Sequence, residues 1–262
     1  LISGLSRGKT IVIAKDDIRA RELYNNYLSF SEDGVIFPGK DVMFYQADIR
    51  GNALTKERIN AIKDILNKDK LTVFLSADGL INCLPPKEVF TDNSLKAKEG
   101  DIIDLDEWTK KLVAFGYDKV ASVEHPGEFA VRGGILDVYP LTSDMPVRVD
   151  FFGDEIETIK TFSAESQISV DKIDEIVIDP ASELILSDED INRGIRQIKD
   201  DTDKLYSKFR EEFKTQEAAR IRKLTDRIID EIEQGWGMQE LESHLTYFTN
   251  KTYSILDYFE DR

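Results

Sequence analysis

The sequence predicts an α/β domain assembled from both ends of the chain, with an α+β domain that carries an antiparallel sheet inserted between them. Three observations support this division. Apolar β-branched runs alternate with helical repeats in 1–91, short strands joined by glycine turns fill 92–178, and helical spacing dominates 179–262. Strands that alternate with helices are typical of parallel sheets, whereas consecutive hairpins are typical of antiparallel ones. A chain of 262 residues, 41% of them hydrophobic, can bury the cores that these domains need.

Three apolar runs predict the strands of the first segment, at 10–14, 35–38 and 71–75. The first and third are rich enough in apolar residues to be buried strands. Asp16 or Asp17 can cap the helix after the first run, because a carboxylate there accepts hydrogen bonds from the free N–H groups of a helix start. Thr55 is predicted to cap a second helix that continues to about residue 66.

The middle segment begins with a helix predicted at 105–115 and continues as hairpins. Apolar and polar residues alternate over 147–152, which is the period of a half-buried strand. Gly153 and Asp154 then form a two-residue turn with glycine first, so that the return strand brings Ile156 onto the apolar face. The opposite, polar face carries Arg148, Asp150 and Phe152.

The polar face of this hairpin is a candidate surface for docking a protein. Arg132, which ends an earlier strand at a Gly-Gly turn, and Arg148 are the only arginines between Arg58 and Arg193. They stand in a segment, 92–178, whose 9 basic and 19 acidic residues give a net charge of −10. Arginine and aromatic residues are enriched at interface hot spots, where acidic residues are depleted. The alternative is that Phe152 packs under a local helix and the arginines pair with nearby carboxylates.

The third segment is predicted to be helical from about Ser187. Almost no glycine or proline interrupts 195–233, so one long amphipathic helix is expected there. It packs on its own sheet, or forms a coiled coil with a partner. The run TYSIL at 252–256 predicts one more strand, which returns to the first domain.

Composition argues against several classes of protein. The formal charge of −16 opposes tight binding to the phosphates of nucleic acids. Cys83 is the single cysteine and lies in an apolar run, so it is predicted to be buried, and with only two histidines a zinc site is not expected. No apolar run is long enough to span a membrane. We therefore expect a monomeric, cytoplasmic protein without a metal or cofactor.

The run Gly4 to Thr10 is similar to a phosphate-binding loop but departs from it twice. The loop needs four residues between its first and second glycines, and only three separate Gly4 from Gly8. Thr10 is predicted to open a strand, whereas the loop must open a helix so that backbone N–H groups meet the phosphates. No acidic pair suited to magnesium and no catalytic constellation accompanies it. An active nucleotide site is therefore not expected.

Several runs resemble one known family. FAVRGGILDVYP at 129–140, followed by PVRVDFFGDEIETIKTF at 146–162, closely resembles the second domain of bacterial transcription-repair coupling factors (Mfd). The excision-repair helicase subunit UvrB has a related domain. LPPKEVF at 84–90 and RINAIKDIL at 58–66 resemble the first domain of the same family. The resemblance covers most of the chain and is weakest after about Ser187.

The resemblance implies roles for particular residues. In this family the second domain binds the damage-recognition protein UvrA, and its contact residues map onto Arg132, Arg148 and Phe152. The first domain is then a degenerate P-loop NTPase-like domain, whose degenerate nucleotide loop maps onto Gly4, Leu5 and Ser6. A helix's worth of family sequence is absent between Ser6 and Arg7.

The function implied by the resemblance is recruitment of UvrA to lesions where RNA polymerase has stalled, without ATPase activity in this chain. The family's ATP-dependent translocation and its contacts with RNA polymerase and DNA belong to further domains, and the start at Leu1 suggests a piece of a longer protein. Two alternatives are a nucleotide hydrolase with an irregular loop and a piece of UvrB. UvrB is disfavoured because 41–52 is too short for its aromatic-rich hairpin. Alanine at Arg148 or Phe152 is expected to weaken docking strongly and to leave the melting temperature nearly unchanged, since both side chains are predicted to point away from the core.

Overall fold

The computed structural model describes residues 8–40, 52–233, 245–249 and 251–259. It divides into two compact units, one made of Leu1–Glu183 with Tyr253–Arg262 and the other of Leu184–Thr252. The predicted domain boundaries after residues 91 and 178 stay predictions. The candidate nucleotide loop at Gly4, Leu5 and Ser6 and most of the 41–52 connection lie outside the described residues.

A three-stranded parallel sheet in the order β1-β3-β2 begins the first unit, as predicted. Its strands are β1 (Lys9–Ala14), β2 (Gly34–Phe37) and β3 (Leu71–Ser76). The helices around it are α1 (Asp17–Leu28), α2 (Asn52–Asn67), α3 (Ala77–Ile81) and α4 (Glu88–Thr91). Asp16 caps α1 by accepting a hydrogen bond from the Arg19 N–H. Because β3 is central, all six of its residues are buried.

Three details of this sheet differ from the sequence prediction. In β1 only Ala14 is buried and Ile13 is exposed, because β1 has β3 alone as a strand neighbour among the described residues. Thr55 is buried inside α2 and does not cap it, since the helix already includes Asn52. Cys83 is exposed because it lies in the loop after α3 and the next residue, Leu84, occupies the core instead.

The end of the chain returns to the first unit, but not as a strand. Tyr253 makes only an isolated bridge with Leu84, and a 3₁₀ helix follows at Ile255–Tyr258. The Tyr258 hydroxyl donates to the Pro85 carbonyl at 2.7 Å, and its ring contacts Phe90. The predicted strand at 252–256 is therefore wrong, although the predicted return to the first domain is observed.

A buried ion pair joins distant parts of the first unit. The Arg58 Nε and Nη2 donate to the two carboxylate oxygens of Glu183 at 2.6 and 3.1 Å, and the guanidinium lies 4.0 Å from the centre of the Phe37 ring. Lys40 Nζ stands 3.1 Å from the same carboxylate. Burial alone would raise the pKa of Glu183, but the charges of Arg58 and Lys40 lower it to about 2.

A six-stranded sheet in the order β10-β9-β8-β7-β6-β5 holds the middle of the chain. Its strands are β5 (Asp118–Lys119), β6 (Glu128–Arg132), β7 (Ile135–Val138), β8 (Val147–Phe152), β9 (Glu155–Phe162) and β10 (Ser169–Lys172). Only β5 and β6 are parallel. A separate antiparallel pair joins β4 (Leu95–Lys98) and β11 (Glu175–Ile178). Helix α5 (Leu105–Ala114) is capped by Asp104 and buries Trp108 and Leu112. The predicted helix and hairpins are confirmed.

The second unit is a helical hairpin rather than one long helix. Helices α6 (Asp188–Glu211) and α7 (Thr215–Glu233) run antiparallel, and the hydroxyl groups of Thr202 and Thr225 are 2.9 Å apart between them. The break falls at Phe213, which has a φ of 57° without being glycine. Folding back lets the two apolar stripes bury each other. A short helix α8 (Leu245–Phe248) completes the core, whose members are Leu184, Leu186, Ile195, Ile198, Ile229, Ile232, Leu245 and Phe248.

Candidate protein-docking site

The two faces of β8 follow the predicted alternation. Val147 and Val149 are buried, and Ile156 lies directly across from Phe151. The β8–β9 register then shifts by one residue, which is the signature of a bulge next to the turn. Gly153 has a φ of 65°, a conformation that glycine adopts without strain. The turn therefore closes as the sequence predicts, and the polar face is kept apart from the core.

A fully buried carboxylate organises the polar face. Asp137, in the middle of β7, pairs with Arg148 on β8 in the strand register. Arg148 Nε and Nη2 donate to the two oxygens of Asp137 at 2.7 and 2.9 Å, and Arg132 Nη2 donates to one of them at 2.6 Å. Charge-assisted, bidentate pairs of this kind are among the stronger hydrogen bonds in proteins. Arg132 and Arg148 are thus brought together through Asp137.

Arg148 is held by more than its carboxylate. Its Nη1 donates to the Gln167 carbonyl at 3.3 Å, and its guanidinium lies 4.7 Å from the centre of the Phe162 ring. Gln167 is itself fixed, because its side-chain nitrogen donates to the carbonyls of Val123 and Ala164. The hydrogen bond to Asp137 raises the pKa of Arg148. Arg148 therefore has a structural role on this face.

The three candidate residues differ in solvent exposure, and therefore in how accessible each is to a partner. The side chain of Arg132 is 52% exposed, and that of Arg148 only 18%. Phe152 is 80% exposed. The structure removes the basis for expecting a nearly unchanged melting temperature in Arg148→Ala, because the Arg148 side chain is mostly buried and pairs with a buried carboxylate. The alternative that the arginines pair with a nearby carboxylate is correct, whereas Phe152 is not packed under a helix.

Phe152 lies beside the turn that follows Arg132. The Phe151 N–H donates to the Gly134 carbonyl at 2.8 Å, and a Cβ on Gly134 would meet the Phe151 carbonyl oxygen at 2.9 Å. The two hairpin turns are therefore adjacent at one end of the sheet. Arg132 and Phe152 occupy that end together, which gives the surface one exposed cation and one exposed aromatic ring.

The exposed groups of this surface are suited to binding a protein. Among the described residues no group of His, Cys, Asp or Glu could hold a metal ion. None of the described helices is long and apolar enough to cross a membrane. Arg132 offers guanidinium donors beyond the one directed at Asp137, and these can meet a carboxylate on a partner. Exposed aromatic and arginine side chains, such as Phe152 and Arg132 at this end of the sheet, are enriched at interface hot spots.

Sequence reasoning missed three residues of the site, Asp137, Phe162 and Gln167. Asp137 had a detectable signal, since a lone acidic residue inside the apolar run 135–138 needs a buried cation as partner. Its partners were the two arginines already singled out. Phe162 and Gln167 had no comparable local signal, because their contacts with Arg148 depend on how β9 and the following loop fold back.

Comparison with known proteins identifies a domain family for the middle of the chain and relatives for most of its length. Residues 95–184 match the model of the UvrB interaction domain. The chain is 30% identical over 245 residues to the transcription-repair-coupling factor of Bacillus subtilis (strain 168), covering 93% of this chain and 21% of that protein. It is 30% identical over 272 residues to UvrABC system protein B of Thermosipho africanus (strain TCF52B), covering 96% and 41% respectively.

The same relationship extends to staphylococci, where the coupling factor of Staphylococcus haemolyticus (strain JCSC1435) is 31% identical over 191 residues. The chain spans less than half of the length of each of these relatives. The chain is a homologue of the transcription-repair-coupling factors and of UvrABC system protein B, and its residues 95–184 match the UvrB interaction domain.

Proposed function

We propose that this chain acts in DNA repair by docking UvrA on the polar face of its six-stranded sheet, and so recruits UvrA to lesions where RNA polymerase has stalled. The observation that carries the proposal is the cluster of Arg132, Arg148 and Asp137 on the same sheet face as the exposed Phe152. All four lie within the residues that match the UvrB interaction domain. The names of the relatives, a coupling factor and an excision-repair subunit, supply the repair context.

Each residue has a distinct task in this proposal. Arg132 contacts an acidic group of UvrA, and Phe152 enters an apolar pocket of UvrA. Arg148 compensates the buried charge of Asp137 and so stabilises the sheet face that carries the other two residues. The strongly acidic remainder of the domain adds specificity, because it repels acidic surfaces that lack a match to Arg132. In this proposal the chain itself is cytoplasmic and acts as a monomer.

We also propose that this chain does not hydrolyse ATP. Its first domain is then a degenerate relative of P-loop NTPases, which keeps the parallel sheet without the nucleotide site. In support of this, Lys9 begins strand β1. A phosphate-binding lysine would instead stand at the start of a helix, where backbone N–H groups converge.

The test is a calorimetric titration of UvrA with the wild-type chain and with Arg132→Ala. The matched control is Arg21→Ala, because Arg21 is also about half exposed and also pairs with a carboxylate, that of Glu57, outside residues 95–184. Arg132→Ala is expected to weaken binding by roughly thirtyfold, corresponding to about 2 kcal/mol. Arg21→Ala is expected to bind like the wild type. Equal affinities for wild type and Arg132→Ala would exclude Arg132 from the site.

A further inference from the structure

Ile102 is an exposed apolar residue that the strand register places in the same row as Phe152, with Glu155 between them. It forms an antiparallel bridge with Glu155, and Glu155 is the partner of Phe152 across the β8–β9 turn. Residues directly opposed on antiparallel strands present their side chains on the same face. Ile102, Glu155 and Phe152 therefore form one row across three segments of the chain.

The exposure of Ile102 sets it apart from other apolar side chains. Ile102 is 81% exposed and Phe152 is 80% exposed. Among the described residues the only other large apolar residues that are at least 80% exposed are Phe30 and Phe213. These two exposed apolar side chains flank Glu155 at the end of the sheet that also carries Arg132. Large apolar side chains that are exposed together mark interaction sites more often than ones scattered singly.

The backbone around Ile102 is fixed by hydrogen bonds to the hairpin. The Ile103 N–H donates to the Asp154 carbonyl at 2.7 Å, and the Ile156 N–H donates to the Asp101 carbonyl at 2.9 Å. Immediately after this stretch, Asp104 caps α5. Ile102 is thus held in place before any partner arrives, so that little conformational entropy is lost when it is covered.

We propose that Ile102 is a second apolar anchor of the docking surface, and that one surface of UvrA covers Ile102 and Phe152 together. The inference rests on the proposed function and deepens it. The occupant is a protein surface because the patch continues the face that carries Arg132 and lies within residues 95–184. The net charge of −10 over 92–178 opposes nucleic acid or an anionic membrane as the occupant.

The chemistry of the patch also defines its partner. The complementary surface of UvrA is apolar where it covers Ile102 and Phe152, and it offers a hydrogen-bond donor or a cation to Glu155 between them. It also places an acidic group near Arg132. A partner surface with the reverse arrangement would set carboxylates against Glu155 and would be rejected. Ile102 thereby contributes to the choice of partner as well as to affinity.

The experiment is a calorimetric titration of UvrA with the full 262-residue chain carrying Ile102→Ala. The matched control is Ile81→Ala, since Ile81 is 74% exposed and lies in α3, outside the matched domain. Ile102→Ala is expected to weaken binding at least about fivefold, and Ile102→Lys more strongly, whereas Ile81→Ala is expected to stay within about twofold of wild type. Thermal melts of all three variants are expected to match wild type.

The outcomes separate this inference from the proposed function. If Phe152→Ala and Arg132→Ala weaken binding but Ile102→Ala and Ile102→Lys do not, Ile102 is no anchor and the docking function stands. If the wild-type chain does not bind UvrA at all, the proposed function and this inference both fail. Sedimentation equilibrium of the chain alone provides a further check. Self-association that is lost in Ile102→Ala would assign the patch to a second copy and overturn the inference.

Discussion

Replacing Arg148 by alanine should destabilise the chain, because Arg148 supplies two of the hydrogen bonds to a carboxylate that solvent does not reach. In the variant Asp137 keeps only the bond from Arg132 Nη2. Breaking a buried ion pair by removing one partner costs about 3–5 kcal/mol. Arg148 is 18% exposed and Arg132 stays in place, so we expect about 2–4 kcal/mol, which corresponds to a fall of about 4–16 °C in melting temperature.

The same reasoning predicts smaller effects at the other two positions. The side chain of Arg132 is about half exposed, and the energies of such ion pairs are reduced by solvent, so Arg132→Ala should cost about 1 kcal/mol or less. Phe152→Ala should leave stability within about 0.5 kcal/mol of wild type, as is usual for exposed positions. Arg148→Lys should fall between wild type and Arg148→Ala, because lysine keeps the charge but cannot donate in the bidentate geometry.

Urea unfolding of these variants, followed by circular dichroism, measures the free energy of unfolding of each and so ranks their stabilities. A fourth variant, Asp137→Leu with Arg148→Leu, removes the buried charge and its main partner together. It should be more stable than Arg148→Ala, because replacing both partners of a buried pair avoids an uncompensated charge. The reasoning is refuted if Arg148→Ala is no less stable than Arg132→Ala, or if the double replacement is less stable than Arg148→Ala.

Three further predictions concern other parts of the chain. Because the folded-state pKa of Glu183 lies below its ordinary value of 4.5, its contribution to stability is present above pH 4.5 and is lost as pH falls towards about 2, so Glu183→Gln should flatten the acid limb of a stability profile. Gly194→Ala should lower the free energy of unfolding by about 1–3 kcal/mol in urea titrations, since its Cβ would overlap the buried Phe248 ring. When the chain is incubated with ATP and magnesium, phosphate release should stay at background. ATP hydrolysis above background that is lost in Lys9→Ala would contradict this.

Local patterns predicted most of the secondary structure. Period-two alternation gave the two faces of β8, and Gly153 with Asp154 gave its turn, because both depend on neighbours in sequence. The cap Asp16 was recognisable for the same reason, since its side chain accepts from an N–H three residues later. In the site, the same parity placed Arg148 on the polar face.

What sequence could not supply depends on contacts between distant residues. No glycine or proline marks the break between α6 and α7 at Phe213 in the sequence. The break arises because the two helices bury their apolar stripes against each other. The partnership of Arg148 with Asp137 requires the β7–β8 register, and the position of Ile102 requires a single bridge to Glu155. The exposed and buried arginines of the site therefore could not be told apart from sequence.

The central claim is that UvrA docks on the face that carries Phe152. It is tested most directly by titrating UvrA with Phe152→Ala and with Phe30→Ala, because the two phenylalanines are 80% and 81% exposed and only Phe152 lies within residues 95–184. We predict that Phe152→Ala weakens binding by roughly thirtyfold at unchanged melting temperature, and that Phe30→Ala binds like the wild type. Wild-type affinity in Phe152→Ala, or an equal loss in both variants, would contradict the account.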